Sequence, residues 1–544
     1  MSLLQSMGIG LSFVWCVVGG QTVNAEWIQI HKLMADDAVG GEELGYAVSV
    51  SGELAVVGAP WFDGVDEDSG AVYVYHTLTG ELLHKLTADD AGFKDYFGYS
   101  VGIDGDVVTV GAPGNDSAYV FDASSGAQIH VLIGNDTTSD DEYGRAAAIS
   151  GNLAVVGAPG HAAFGADSGT AYIFDVTTGQ QLHKLIPLDG HQSDQFGTAV
   201  GISGTLAIVG ARHGDSSVMD AGTAYIFDAT TGVQIHKLVA SDGAQYDHFG
   251  FSVAISADLC VVGAYGHKEV WEDAGAAYVF DVVTGQELHI LTATDPQPGD
   301  YFGYSVSTGN EVVAVGAIYD DGTAGTDAGA AYLFDSLTGE CLNQLTASDA
   351  VSHADFGKAV GISSDVVLVG AQQDDEAAEH AGAAYVFGLD SDSDGVLDSM
   401  DNCPFHFNPD QADCDEDGVG DVCTIIDCDG SPWCEDCNLN GVPDGCDLAD
   451  GTSEDCQPNG VPDECDIADG TSLDIDSNGI PDDCECLADL YEDGIVDVLD
   501  LMVVFAKWGP CPPEGECPGD VTFDGAVDVL DLLALLGAWG PCPQ

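Results

Sequence analysis

Through the first 388 residues, apolar and polar positions alternate mostly with a period of two. That is the mark of half-buried strands rather than helices. Runs of the type Ser-Val-Ser-Val, Leu-Ala-Val-Val, Ala-Tyr-Ile-Phe and Gln-Leu-His-Lys-Leu are separated by Gly, Asp and Ser, which predicts short strands between turns. The runs recur in sets of four. A Phe-Gly step followed by Val-Gly-Ala anchors each set, as in FGYSVGIDGDVVTVGAP from Phe97, with further copies from Phe196, Phe249, Phe302 and Phe356. Leu44-Gly45 and Tyr143-Gly144 open two looser copies. The glycine of the Gly-Ala step falls at Gly58, Gly111, Gly157, Gly210, Gly263, Gly316 and Gly370, at intervals of 53, 46, 53, 53, 53 and 54 residues. A fixed period of this size predicts a repeat architecture.

Within each repeat, a tight turn such as Ser51-Gly52 or Asp104-Gly105 predicts a hairpin between the first two strands. Asp-x-x-Thr-Gly, as from Asp175 to Gly179, joins the third to the fourth. Four antiparallel strands repeated radially make a propeller blade. The fourth-strand phrase occurs at Trp27–Leu33, ahead of any first strand, and nothing like it follows Tyr385-Val386-Phe387. The N-terminal strand is therefore expected to complete the last blade, leaving no open sheet edge. Residues 26–388 read as an all-β, seven-bladed propeller closed by strand exchange.

The Phe-Gly and Val-Gly-Ala set resembles the FG-GAP repeats of integrin α-subunit propellers and related bacterial surface proteins. Relatives that hold calcium in their blades do so through a long acidic loop between the first two strands. Here that connection is a short turn, so no calcium is expected on the propeller.

Ahead of the propeller, an apolar stretch from Met7 to Gly20 and then Val23-Asn24-Ala25 predict a secretory signal over 1–25. No other stretch approaches the roughly 18 apolar residues that span a bilayer, so the mature chain is expected to carry no transmembrane segment. Net charge is −82, with only ten Lys and Arg, which leaves nucleic-acid binding no electrostatic basis. Forty of the 92 acidic residues lie in 389–544 beside a single base, Lys507. The tail is where divalent cations are expected.

Cys260 and Cys341 occupy propeller-strand positions filled by Ala or Leu elsewhere and read as unpaired packing residues. Fourteen other cysteines lie between Cys403 and Cys542, predicting a disulfide framework in an exported chain. Cys511, Cys517 and Cys542 leave an odd number in the last segment, so either one bridge crosses into 403–486 or two thiols stay free. A recurring His (His31, His84, His130, His183, His236, His289, with Asn343 in the seventh copy) falls on the fourth strand, at the outer rim. Positions that point apart cannot converge on one ion, so the histidines are read as structural. The Asp of Asp-(Ser/Ala)-Gly at Asp68, Asp167, Asp220, Asp273 and Asp327 is read as Asx-type turn chemistry.

After Leu389 two loops of the form D-x-[DN]-x-[DN]-G-x-x-D appear, at Asp390, Asp392, Asp394 and Asp398, and at Asp413, Asp415, Asp417 and Asp421. Carboxylates on alternate residues around a turning Gly suit a hard, oxygen-seeking cation. With Asp401-Asn402-Cys403-Pro404 between them, residues 389–424 resemble thrombospondin type 3 repeats, which implies calcium. Three further loops in 425–486 run Asp436, Asn438, Asn440, Asp444; Asp455, Gln457, Asn459, Asp463; and Asp474, Asp476, Asn478, Asp482. Their amides predict weaker binding in a Cys-rich spacer. Residues 487–544 hold two copies of one unit, each a loop leading into a short apolar helix that ends in Trp-Gly-Pro-Cys. The pair resembles a dockerin, which implies calcium at Asp489, Asp493, Asp497 and Asp500, and at Asp520, Asp524, Asp528 and Asp531, and a cohesin-like or envelope partner. Tyr491 and Thr522 depart from the Asn or Asp normal at the third loop position.

No nucleophile elbow, His-Glu-x-x-His or phosphate loop stands out. The variable loops between second and third strands, such as Trp61-Phe62-Asp63 and His213-Gly214-Asp215, share one propeller face with the fourth-to-first loops. The expectation is a non-enzymatic, exported adhesion or interaction protein whose loop face holds a protein or glycan. The rival is a hydrolase or lyase, or a carbohydrate-binding protein, using that same face. Acidic and aromatic side chains converging in one pocket would favour the rival, and a broad acidic face would favour adhesion.

Overall fold

The structure, a computed structural model, describes residues 26–544 except 217, 269–270, 310, 322–324, 429–433, 475–478, 482–483, 492, 513–516 and 543–544, together with the backbone strands Cys16–Val18 and Gln21–Val23. Those two short strands pair antiparallel. The remainder of the 1–25 signal reading lies outside the described residues. The chain divides into two compact units, Met1–Ser391 and Asp392–Gln544.

In the first unit seven four-stranded antiparallel sheets follow one another along the chain. Blade one consists of Ala47–Ser51, Leu54–Ala59, Ala71–His76 and Leu82–Leu86. Blade seven takes Phe356–Ser363, Val366–Ala371 and Ala383–Asp390 from the end of the propeller and Glu26–Leu33 from its beginning. Trp27 stands opposite Leu389 and Leu33 opposite Ala384 in that closing pair. The seven blades and their closure by the N-terminal strand are as the repeats predict. The turns between first and second strands hold two or three residues in every blade.

Each hydrophobic cluster of this unit lies between two blades rather than inside one. Ile208, Ile226 and Leu238 of blade four pack on Phe249, Val262, Tyr278 and Phe280 of blade five, for example. Another cluster joins Leu368 and Val386 of blade seven to Val57 and Tyr73 of blade one. A blade cannot bury its own faces, so the ring forms as a whole.

Glycine sets how closely blades approach. A Cβ on Gly58 would collide with the carbonyl of Gly98, and the same pairing repeats at Gly111 on Gly144, Gly157 on Gly197, Gly210 on Gly250, Gly263 on Gly303, Gly316 on Gly357 and Gly370 on Gly45. The Gly-Ala glycine of one blade thus seats on the Phe-Gly glycine of the next, all the way round. The residue before each Phe-Gly step (Leu44-Gly45 and Tyr143-Gly144 in the looser copies) adopts a left-handed backbone: Glu43, Tyr96, Glu142, Gln195, His248, Tyr301 and Asp355 have φ of 52–58°.

Polar bonds recur with the same regularity. The rim histidines each bond the next blade's turn, His31 Nε2 to the Leu78 carbonyl at 2.8 Å and His183 Nε2 to that of Thr230 at 2.8 Å. Their structural role is as expected. A bond that the sequence reading lacks joins the third-strand tyrosine to an aspartate 36 or 37 residues upstream in six blades and 29 in the other, as in Tyr73 Oη to Asp37 at 2.9 Å and Tyr385 Oη to Asp349 at 3.0 Å. Lys85, Lys184 and Lys237 on the fourth strand pair with the same aspartates as their blades' tyrosines, and Lys32 does so in blade seven. The recurring Asp of the Asp-x-Gly step differs in detail from its reading: Asp68 and Asp220 are left-handed turn residues whose amides donate to Asp63 and Asp215 at 2.9 and 3.0 Å. The Asx acceptor sits five residues earlier.

The second unit has little apolar core. Short helices Asp421–Ile426, Asp444–Asp450 and Asp463–Asp469 follow acidic loops. Val498–Lys507 and Val529–Gly537 are the helices of the duplicated end, and Val496, Val504, Val527 and Leu535 are buried between them. Seven disulfides hold it: Cys403–Cys423, Cys414–Cys446, Cys428–Cys434, Cys437–Cys465, Cys456–Cys484, Cys486–Cys542 and Cys511–Cys517. The crossing bridge is Cys486–Cys542, and all fourteen tail cysteines are oxidised. Cys260 and Cys341 are free. Among the described residues no helix is long and apolar enough to cross a membrane.

Two stability measurements test this account. Gly210→Ala should destabilise the propeller by about 3 kcal/mol through overpacking against Gly250, while Gly204→Ala, at an open turn with φ of 55°, should cost about 1 kcal/mol. Urea unfolding followed by circular dichroism reads both. In blade six Gln344 stands where four of the other blades have Lys, and burial, then the Asp320, Asp295 and Asp321 carboxylates, push Asp300 up to about 7. The folded state then binds this proton more tightly than the unfolded state, so Asp300 lowers stability as pH rises from about 4 to 7. Asp300→Asn should remove that slope and stabilise the propeller at pH 8 but not at pH 4, as thermal melts at the two values will register.

Candidate functional site

In each blade, the residue immediately after the Phe-Gly step (Leu44-Gly45 and Tyr143-Gly144 in the looser copies) directly precedes the first strand or is its third residue, and the first strand is the one nearest the axis. The seven such residues are Tyr46, Tyr99, Arg145, Thr198, Phe251, Tyr304 and Lys358, and all seven line a single cavity of about 480 Å³. Arg212, Tyr265, Ile318 and Tyr319, which follow the Gly-Ala step in blades four to six, complete its wall with Tyr301. First strands of neighbouring blades pack on one another, so a ring of positions spread over more than 300 residues of sequence converges here.

The walls are largely aromatic. Tyr46 meets Tyr99 and Trp61 with ring centroids 4.8 Å apart. On the far side Phe251 meets Tyr265 at 4.7 Å and Tyr304 at 4.9 Å, and Tyr301 lies 5.2 Å from both Tyr265 and Tyr319. Burial pushes Tyr304 up to about 12, so its hydroxyl stays protonated and can donate.

The cations are the unusual part. The chain has two arginines, Arg145 and Arg212, and both are here with Lys358. Arg145 donates to Glu142 at 2.8 Å and lies over the Tyr99 ring. Arg212 Nε donates to Gln195 at 2.6 Å. Lys358 Nζ donates to Tyr304 Oη at 3.1 Å and sits 4.2 Å from the Tyr46 ring centroid. Burial lowers the pKa of Lys358, and burial with the nearby Arg145 charge lowers that of Arg212. His213 and His248, 5.2 Å apart, are also held below the usual histidine range by burial and then by Arg212, so they add no positive charge at neutral pH. Among the described residues no carboxylate lines the cavity. The site is suited to holding an anion on an aromatic platform; it lacks the carboxylate pair that acid–base hydrolysis of a glycoside uses.

This convergence differs from both arrangements anticipated for the face, being aromatic and basic rather than aromatic and acidic or broadly acidic. The loops between second and third strands do share a face with the fourth-to-first loops, through bridges such as Gly70 to Phe97 and Gly275 to Phe302. Their first residues in blades four to six (Arg212, Tyr265, Ile318 and Tyr319) and Tyr301 of a fourth-to-first loop enter the cavity, beside the seven residues that follow the Phe-Gly steps. A signal was present in the sequence: the position after Phe-Gly carries large or charged residues in six of seven copies, on a strand otherwise built from small ones.

The predicted metal ligands lie in a different setting. Asp390 ends its strand opposite Glu26 in the first unit, whereas Asp392, Asp394 and Asp398 belong to the second. Asp392 accepts from the Asp394 amide at 3.2 Å, and Asp394 from the Val396 amide at 2.8 Å. In the later loops one pattern repeats. The first carboxylate accepts from amides four and five residues on: Asp413 from Asp417 and Gly418, Asp436 from Asn440 and Gly441, Asp455 from Asn459 and Gly460, Asp489 from Asp493 and Gly494, Asp520 from Asp524 and Gly525. Asp474 accepts from Gly479 at 3.0 Å, and its partners Asp476, Asn478 and Asp482 lie outside the described residues.

The donor chemistry of these loops is uneven. Burial, then the charges of Asp413 and Asp415, raise Asp421, so these carboxylates crowd one another in a loop without basic residues, which fits a divalent cation. Asp444 and Asp463 are raised in the same way by burial and by Asp436 and Asp455. Asn440 and Asn459 instead donate to Asp447 and Asp466 at 2.8 Å, and Asn438 also donates to Asp447. Asp497 and Asp528 cap the two terminal helices, with Asp500 and Asp531 closing capping boxes; these last two are fully buried. The cysteines beside Asp421, Asp444, Asp463, Asp489 and Asp520 are all in disulfides and offer no thiolate to a metal.

The FG-GAP repeat profile matches residues 27–75, 82–128, 126–174, 180–227, 233–280, 286–334 and 342–387. No curated protein matches the chain. Each matched segment opens with the fourth strand of one blade and continues through the third strand of the next, and together the seven cover more than half of the sequence, so the chain belongs to the FG-GAP repeat family.

Proposed function

We propose that this chain is an extracellular interaction protein whose propeller captures a ligand in the axial pocket, with a calcium-stiffened tail that spaces and docks it. FG-GAP membership and the seven tail disulfides suggest an extracellular or cell-surface setting and a ligand-binding or adhesion-type role. The observation that carries the reading is the convergence of all seven post-Phe-Gly side chains in one cavity. Binding residues placed on a rigid ring need no ordering on contact, which favours recognition. The signal over 1–25, the thrombospondin-like 389–424, the spacer 425–486 and the dockerin-like 487–544 complete the design. A cohesin-like or envelope protein is the partner for the last segment. Hydrolase or lyase action is the weaker reading because the lining offers no carboxylate pair.

The test is a screen of the full chain against immobilised matrix proteins and polysaccharides. Binding should be lost in Tyr304→Ala and Tyr99→Ala but kept in Asp63→Ala, out on a rim loop. Retention by both tyrosine variants would move the site off the axis, and new reducing ends or unsaturated products would establish turnover instead.

Calcium belongs to the tail in this reading. Chelation should raise hydrogen exchange across 392–544 as unneutralised carboxylates repel one another, and leave 26–391 unchanged. Equal loss of protection in both units would refute the division.

A further inference from the structure

A chain with 92 acidic and ten basic residues has carboxylates to spare for every cation. Among the described residues Lys32, Lys85, Lys94, Arg145, Lys184, Lys237 and Lys268 each sit 2.5–3.6 Å from at least one carboxylate oxygen. The propeller's two remaining bases, Arg212 and Lys358, make no such ion pair with any described residue, and both line the axial pocket. Glu43 and Asp355 are near enough to attract Lys358 but neither comes within ion-pair distance; Asp355 accepts from Gln372 at 2.8 Å, and Glu142, the carboxylate near Arg212, takes Arg145. Sequestering a cation from water without a carboxylate in contact with it is unfavourable. Two such groups in one cavity of an otherwise acidic molecule point to an anion supplied from outside.

We propose, building on the axial-pocket reading, that the ligand is an anionic sugar unit, its acidic group held between Arg212 and Lys358 and its ring faces against the surrounding tyrosines. A pyranose is apolar on its faces and polar at its edge, and a tyrosine divides in the same way, ring against hydroxyl. The 480 Å³ cavity lies within the range of small-ligand sites, roughly 300–1,000 Å³. Charge also limits how much of the ligand is acidic. A net charge of −82 repels a long polyanion, whereas attraction inside the pocket acts within about one Debye length, ~8 Å in physiological salt. The favoured ligand therefore presents one acidic unit at its tip.

Calorimetry on the full chain, with a digalactose capped by a single galacturonate, a singly sulfated trigalactose, neutral trigalactose and triglutamate as probes, tests the assignment. Binding of the uronate or the sulfated sugar, at least tenfold above the neutral sugar, is expected, and which one binds identifies the acidic group. Arg212→Gln and Lys358→Met should each weaken it by about 10–100-fold, the range for a charge-assisted hydrogen bond. Without ligand, Lys358→Met should raise the melting temperature by roughly 2–4 °C, because it removes an unpaired, partly desolvated charge. A residue with a merely structural role would lose stability when replaced. Equal binding of neutral and acidic sugars, unaffected by the two variants, overturns the anion assignment. If Tyr304→Ala abolishes that same binding, the axial pocket stands. Triglutamate binding above both acidic sugars overturns the sugar class, and no heat with any probe overturns the proposal as a whole.

Discussion

The close approach of one glycine to another governs the propeller. Wherever the Gly-Ala glycine of a blade meets the Phe-Gly glycine of its neighbour, backbone lies against backbone, with no room for a side chain. Seven such contacts, the last between Gly370 and Gly45, set a common spacing, and that spacing puts the next residue of every blade at the axis. The large and charged side chains of the pocket are carried one position beyond the tightest constraint in the fold. A fixed backbone can vary its cargo freely, and here Tyr, Arg, Thr, Phe and Lys occupy equivalent places. The left-handed residue before each Phe-Gly step belongs to the same device, a sparsely populated conformation held by packing on both sides.

Much of this architecture was legible in the chain because it is local and repeated. Strand periodicity, the Ser-Gly and Asp-x-x-Thr-Gly turns and the 53-residue interval act within one blade, and the displaced copy at Trp27–Leu33 announced the closure. The rim histidines were legible for the same reason. The Tyr73–Asp37 bond was not, since a 36-residue spacing couples a strand to a loop that pattern reading treats as variable. The pocket was harder still. Tyr99, Arg145 and Lys358 look unrelated in sequence, and their kinship exists only once the ring has closed. The loops vary more conspicuously, yet only their first residues in blades four to six and Tyr301 reach the cavity. The disulfides show a third kind of limit. Cys437 bridges the helix of the following acidic loop at Cys465, and Cys456 repeats the step to Cys484. Pairing across loops is set by how the loops stack, which cysteine counting cannot reveal.

The distribution of charge follows from solvent. At the rim, water screens the Lys85–Asp37 and Lys237–Asp189 pairs, which tie strand to loop at little electrostatic gain. At the axis, burial among aromatic rings partly desolvates Lys358 and Arg212, so the same charges act more strongly on whatever reaches them. A molecule can thus be overwhelmingly acidic and still hold one small region of opposite character, provided that region is walled off.

The closing strand has a consequence for how the molecule comes to exist. Glu26–Leu33 is synthesised before every other propeller strand, yet its partner, Ala383–Asp390, comes more than 350 residues later. Until that partner emerges, blade one lacks the neighbour that covers Leu44, Val57 and Tyr73, and an early strand waits with its hydrogen-bonding edge unmatched. Contacts of such separation form late, because a long loop must close before they form. The ring therefore matures in a single final act, and a nascent chain interrupted anywhere before Ala383 would hold up to six blades with no means of shutting the circle.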